Sequence, residues 1–495
     1  MMRPTALSLL LLCALGASAL AAEATPHARA VTRHTVNING APLAYTATVA
    51  EYIVKDDKGA PGAAVVTIAY IRDGVKDRAR RPVLFAFNGG PGASSSPLHM
   101  SAIGPVVRVS EKSSDRRGSH YAENASSPLD VTDLVFIDPV STGFSRPLPD
   151  IDPQQWYGGL VDAVEVATVI RDWLKANHRE SSPKFLAGES YGTTRAGLII
   201  KYAPYLRFNG VILVSGGGGS RDPNIHAVDL LADMAVGAWY HNKVNRRGLT
   251  AEQFYKDALT FGRGDYLATL NDPNLQPAAM HLMAERVASY IGLPVALIEE
   301  KRLKVSRNDW MFNIVKDRGL RAGLLDSRAT GKWCPNMQGD IDDPAMGFVP
   351  SDTCVAQDKP PPTAASVGPI ESPAVGRYIR EDLKFQDNDP YYGVNLKANS
   401  LWGQGAGADG HEPSTTEIMS HAMKADPDLR LAVISGFYDL GSSDGSAFVK
   451  AGIPTNRLTL VRLAGGHEVY STAFGGDQDR QLFNEAVRKF VTARR

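Results

Sequence analysis

Gly188-Glu189-Ser190-Tyr191-Gly192 sets a serine between two glycines. A hydroxyl is a weak nucleophile, and it becomes a strong one where a sharp strand-to-helix turn lifts it off a sheet and a base takes its proton. The flanking residues fit such a turn. Lys184-Phe185-Leu186-Ala187 reads as a short strand and Thr193 to Tyr202 as a helix, whose first N–H groups would face developing negative charge. The base should be a histidine oriented by a carboxylate, and in a sheet of this kind they follow in the order Ser, Asp, His, each after a strand. Asp439 lies just beyond the apolar run Arg430 to Gly436, and His467 follows Leu458 to Leu463 through Gly465-Gly466. Ser190, Asp439 and His467 are therefore the candidate catalytic residues for acyl transfer. Asp444, farther from the strand end, is the second choice for the acid.

Acyl transfer creates an oxyanion that needs donors. Asn88-Gly89-Gly90-Pro91-Gly92 follows the continuous apolar run Pro82 to Phe87, where a second donor loop is required, and glycines let the backbone come close. The backbone N–H groups of Gly90 and Tyr191 are the candidate oxyanion hole.

These residues need a scaffold, and the hydrophobic pattern describes one. Strand signals fill residues 31–87, with Asn39-Gly40 as a hairpin turn. Leu134 to Ile137 and Val211 to Val214 are further runs apolar throughout, and Trp156 to Asn177 has a broad apolar face at helical spacing. Alternating buried strands and helices predict an α/β chain with a mostly parallel central sheet flanked by helices. After Ser220 the alternation stops, and Leu429 to Ser435, Leu458 to Leu463 and a helix over Gln478 to Val491 resume it. The expected organisation is a signal peptide at 1–21, core at 22–220, an inserted cap at 221–425 over the strand ends, and core again at 426–495.

The leader has a positive start at Arg3, an apolar run from Ala6 to Leu20 and an Ala19-Leu20-Ala21 cleavage site, so export to the periplasm or beyond is expected. No later stretch is long and apolar enough to span a membrane, so no stable membrane association is expected. Lys and Arg total 53 and Asp and Glu total 53, which leaves no field to gather nucleic acid. Of three cysteines, Cys13 falls in the leader, and Cys334 and Cys354 are a candidate disulfide pair. No HExxH, P-loop or Cys-rich motif is present, and the mechanism calls for no metal or organic cofactor. Asn124-Ala125-Ser126 is the one glycosylation sequon.

Asn88-Gly89-Gly90-Pro91-Gly92-Ala93-Ser94-Ser95, Asp138 to Ser145, Gly188 to Gly192 and Gly466-His467 together resemble the serine carboxypeptidase family. The resemblance covers roughly 82–220 and 429–490. It implies an α/β-hydrolase fold and removal of single residues from peptides with a free C-terminus. It also implies that Asn88, Gly89 and Glu189 hold the terminal carboxylate. A Glu facing a carboxylate must be protonated, so activity favoured by acid is expected. Two positions depart from the family pattern: Ala93 stands where a Cys is common, and Ala102 where a second acidic residue usually supports the carboxylate site. His99 and Met100 share that segment and are candidates to line the pocket. An esterase or acyltransferase on the same scaffold is the competing reading, since all share the acyl-enzyme.

Overall fold

Asn39 and Gly40, both at positive φ (51° and 80°), form the turn between β1 (Arg29–Ile38) and β2 (Ala41–Lys55). Positive φ at both central residues matches the right-handed twist of the strands they join. The computed structural model describes residues 29–56, 58–109, 120–216, 222–334, 343–346, 368–403, 414–441 and 444–493. The expected signal peptide and Cys354 lie outside the described residues. Cys334 is disulfide-bonded.

β3 (Pro61–Arg72) extends the hairpin, and β4 (Val83–Phe87) follows. A small hairpin of β5 (Val106–Val109) and β6 (His120–Glu123) precedes β7 (Asp133–Ile137) and the short β8 (Arg146–Pro147). α1 (Gly159–Ala176), β9 (Lys184–Glu189), α2 (Tyr191–Tyr202) and β10 (Gly210–Val214) then alternate. The sheet runs β1-β2-β3-β7-β4-β9-β10 and closes with β15 (Arg430–Gly436) and β16 (Leu458–Leu463), while β8 pairs with β3. Pairing is antiparallel as far as β3–β7 and parallel from β7 to β16.

β4, β7, β9 and β10 are buried along their whole length, because helices cover both faces. Alternate side chains go to opposite sides. Leu84, Phe185, Ile212 and Ile434 face a cluster that includes Phe483 and Phe490 of the C-terminal helix Asp477–Thr492. Phe85, Leu186, Leu213 and Val433 face Val166, Ile170 and Trp173 of α1 and Leu198 of α2.

Between β10 and β15 the chain builds a third core. α3 (Pro223–Tyr240) is capped by Asp222, and α4 (Ala251–Phe261) by a reciprocal box between Thr250 and Gln253. With the helices Pro277–Ile291 and Arg307–Asn313 they bury Leu231, Phe254, Val287 and Trp310 together. Phe437, Tyr438 and Leu440, from the turn after β15, belong to the same cluster. Two small hairpins also arise here, β11 (Leu320–Ala322) with β12 (Thr330–Lys332) and β13 (Pro369–Glu371) with β14 (Tyr392–Asn395). The helix Thr415–Ala425 lies against α2, and its Ile418, Met419 and Met423 join the core on that face.

Candidate active site

Ser190 sits at the junction of β9 and α2 with φ 59° and ψ −127°, a conformation costly for a residue with a Cβ. Neighbouring bonds hold it there. Its N–H donates to Val214 O of β10 at 2.9 Å, and its carbonyl accepts from Thr193 N (2.9 Å) and Thr193 Oγ1 (2.7 Å). Both motif glycines have steric reasons. A Cβ at Gly188 would collide with the carbonyl of Gly192, and one at Gly192 would lie 3.0 Å from the carbonyl oxygens of Phe87 and Asn88.

Asp439 and His467 leave the carboxyl ends of β15 and β16. His467 Nδ1 donates to Asp439 Oδ2 at 2.7 Å, and Asp439 Oδ1 accepts from Gly441 N at 2.8 Å. A carboxylate can only accept, so Nδ1 carries the ring proton and Nε2 is left to take one. Asp439 is fully buried, while Asp444 instead pairs with Arg263 at 2.8 Å and caps Ser446 N. Burial works against the His467 charge, but the Asp439 carboxylate, with Glu189 and Glu468, raises its pKa to about 9. Ser190 Oγ and the His467 ring are not hydrogen-bonded to each other here. Their sites meet at Glu189, the residue before the serine, whose carboxyl feels the charges of both His467 and Asp439.

The inserted residues brace this histidine. His467 N donates to Leu325 O at 2.6 Å, and Gly466 packs so closely on Asp326 and Leu325 O that a side chain there would collide. Arg328 pairs with Asp326 at 2.7 Å and donates to Ala464 O at 2.8 Å, holding the two loops together. Leu324 N and Leu325 N both donate to the buried Asp343 carboxylate.

The Asn88–Gly92 loop lies directly on the elbow. Any side chain at Gly89 would strike Tyr191 N and Gly192 N, and Gly90 holds φ 97°. Arg195 of α2 donates from Nη1 to Asn88 O at 2.5 Å and from Nε to both oxygens of Asp162 (3.0 and 2.8 Å), all fully or nearly fully buried. The Tyr191 side chain also hydrogen-bonds Asp162. Trp402 Nε1 donates to Tyr191 OH at 3.2 Å, Asn399 Nδ2 donates to Pro91 O at 3.1 Å, and Asn395 N donates to Gly92 O at 2.7 Å. The loop and the Tyr191 N–H are thus held from the core side and from the inserted side together.

Glu189 is 3% exposed. Burial and the neighbouring Glu468 push its pKa to about 8, against the opposing pull of His467 and of a hydrogen bond from Tyr470. Burial therefore favours the neutral carboxyl. Asn88, also buried, accepts Leu98 N at Oδ1 (3.1 Å). Ser190, Asp439, His467, Gly90, Tyr191, Asn88, Gly89 and Glu189 are therefore drawn together at the carboxyl ends of β4, β9, β15 and β16.

Burial decides the reading of three residues around this site. His99 and Met100 do not line it: both are buried in the core, with His99 Nε2 bonded to Tyr70 OH at 2.7 Å and the ring stacked on Phe136 at 4.3 Å. Asn124 is no surface acceptor, because it is 1% exposed and its Nδ2 donates to Ala102 O and Gly104 O, both at 2.8 Å. Tyr470, Asp162, Arg195, Leu325 and Trp402 escaped the sequence reading. Tyr470 could have been noticed from its closeness to His467, but no local signal marks the others. Among the described residues no cluster of three or more His, Cys, Asp or Glu is gathered as a metal site, and no helix is long and apolar enough to cross a membrane.

Residues 70–202 match the family model described as serine carboxypeptidase. That segment carries the donor loop, the Asp138–Ser145 turn and the nucleophile elbow. The likeness to the serine carboxypeptidase family thus rests on residues 70–202. The sheet and its flanking helices form an α/β-hydrolase fold. The fold is similar to that of a prohormone-processing carboxypeptidase from Saccharomyces cerevisiae, with TM-score 0.53 and 11% identity over 90% of this chain and 91% of that one. Weaker likenesses include a proline iminopeptidase from Mycobacterium smegmatis (TM-score 0.36, 13% identity, 93% and 97% covered). A homoserine O-acetyltransferase from Bacillus anthracis is similar at TM-score 0.37 and 12% identity, with 94% and 98% covered. No curated protein matches by sequence.

Proposed function

We propose that this protein removes C-terminal residues from peptides through Ser190, His467 and Asp439. His467 takes the proton of Ser190 Oγ as the oxygen attacks the scissile carbonyl, and Asp439 holds the imidazole in the required tautomer. The N–H groups of Gly90 and Tyr191 receive the oxyanion. The C-terminal residue leaves with the proton from His467, and water then releases the acyl group. Asn88, the Gly89 N–H and neutral Glu189 take the substrate's terminal carboxylate.

The observation that carries this reading is the burial of the Glu189 carboxyl immediately before the candidate nucleophile, which favours its neutral form. A neutral carboxyl donates a hydrogen bond to an anion, whereas an ionised one repels it. Recognition of the free acid should hold below about 8 and fade as pH rises through that value. Protonating Glu189 also removes one of the negative charges that raise the His467 pKa, which favours the neutral imidazole that the reaction needs, so carboxylate recognition and the base are coupled. Acid preference thus arises in substrate binding.

The test follows hydrolysis of N-blocked dipeptides against their C-terminal amides at acid and alkaline pH, with Ser190→Ala as control. Turnover of the free acid alone, with KM rising above pH about 8, supports the reading. Equal turnover of acid and amide, or cleavage of simple esters only, sinks it and leaves an esterase or transferase. We also propose that the leader directs export and is cut before Ala22, on the pattern of residues 3–21. N-terminal sequencing of protein recovered outside the cytoplasm checks it.

A further inference from the structure

Where the family pattern would put a second acidic group beneath the carboxylate site, this chain has the methyl of Ala102, whose carbonyl is occupied by Asn124 and Asn484. A phenol from the other half of the chain reaches Glu189 instead. Tyr470 OH donates to Glu189 Oε2 at 2.6 Å, and the phenol oxygen takes a hydrogen bond from the Asn88 amide. Tyr470 is fully buried, and its ring packs on Phe483 with centroids 5.2 Å apart.

The direction of this chain is set by counting protons. Asn88 Oδ1 is spent on Leu98 N–H, so the amide can offer the phenol only N–H. A phenol has one proton, and an oxygen that accepts from Asn88 is left to donate to Glu189. Glu189 Oε2 is then the accepting oxygen, and the single proton of a neutral carboxyl belongs on Oε1. Successive donors polarise one another, which strengthens the last donor in the line.

We propose that Tyr470 is a positioning residue that places the Glu189 proton on Oε1, turning Glu189 into a donor aimed at the substrate's terminal carboxylate. The proposal rests on the carboxypeptidase reading and adds the group that orients its recognition element. The charges that bear on Glu189 come from Glu468, His467 and Asp439 as well as Tyr470. Among these, Glu468 and Asp439 favour the neutral carboxyl, while His467 and the phenol donor favour the ionised one. Loss of the phenol donor therefore has two opposed signatures. Binding of the free acid weakens because the proton is no longer directed. The pH at which Glu189 ionises rises because a donor to the ionised form is gone.

The experiment compares Tyr470→Phe with the unaltered protein on free-acid and C-terminal amide dipeptides across the pH range. The free-acid KM should rise about tenfold, the loss of one charge-assisted hydrogen bond, with kcat changed by less than about threefold. The amide KM should move far less, and the alkaline limb for the free acid should shift above its original position. Replacing Tyr470 by difluorotyrosine, a stronger donor of nearly the same shape, should shift that limb downward and serves if Tyr470→Phe does not fold. A free-acid KM that does not move, equal changes for acid and amide, or limb shifts of the opposite sign would overturn the proposal. If the unaltered protein does not distinguish acid from amide, the carboxypeptidase reading falls and this proposal falls with it. If it does distinguish them and Tyr470→Phe leaves that discrimination intact, only the role of Tyr470 is lost.

Discussion

Ser190, Asp439 and His467 leave from the ends of β9, β15 and β16, whereas Leu325, Asn395 and Trp402 come from the stretch between β10 and the helix Thr415–Ala425. The strand-borne residues are placed by register. β9, β10, β15 and β16 pair in parallel, so their carboxyl ends arrive on one edge together. The inserted residues are placed by packing on a core of their own around Trp310. They touch the site through backbone and single side-chain hydrogen bonds: Leu325 O on His467, Trp402 on Tyr191, Asn395 on Gly92. One region supplies the candidate reacting groups, and the other fixes the loops that carry them. Because Phe437, Tyr438 and Leu440 flank Asp439 and belong to the inserted core, the two regions share the turn that bears the acid.

That division can be broken at its strongest point first. Asp439→Asn should lower kcat on the order of 10⁴-fold, because the histidine loses its required tautomer. Asp444→Asn should do far less, since Asp444 is engaged with Arg263. Steady-state rates on the free-acid dipeptide decide it, and the reverse order would reassign the acid.

The next largest effect tests whether the core alone holds the donor loop. Arg195→Met leaves Asp162 buried beside α2 without its partner and should cost about 3–5 kcal/mol, read as a lowered melting temperature. Arg195→Met with Asp162→Leu should regain most of that stability, since an apolar pair has no charge to desolvate. Activity should stay low in the double variant, because Asn88 O has lost its Arg195 donor. Recovery of full activity would show that Arg195 serves only stability.

The smallest effect sharpens the role of the inserted region. Trp402→Phe keeps a ring against Tyr191 but removes the bond to its hydroxyl, worth about 1 kcal/mol. A decrease in kcat/KM of about fivefold is expected, with little change in melting temperature. Unchanged kinetics would leave this segment a passive neighbour of the elbow.

Much of the core could be read in advance because its signals are local. Val83 to Phe87 is apolar throughout because both faces of β4 are covered, and Asn39-Gly40 turns because both residues accept positive φ. The glycines around Ser190 mark the elbow for a reason the packing makes explicit, since a Cβ at Gly188 would strike backbone and one at Gly192 would crowd it. Thr250 and Gln253 form a capping box that opens a helix of the inserted region, but nothing along the chain tells where that region lands. His99 shows the opposite failure. It lies near the donor loop in sequence, yet its segment winds into the core and the ring stacks on Phe136.

Sequence by itself pointed to the candidate reacting groups, their order and the strands that carry them. These depend on residue type and on periodicities of a few residues, which survive in one dimension. Only the tertiary structure decided that Asp439 and not Asp444 meets His467, that Leu325 holds the histidine loop, and that Tyr470 reaches Glu189. Each of those joins is a hydrogen bond between groups whose meeting depends on how whole elements pack, and a bond a few ångströms long leaves no periodic trace along the chain.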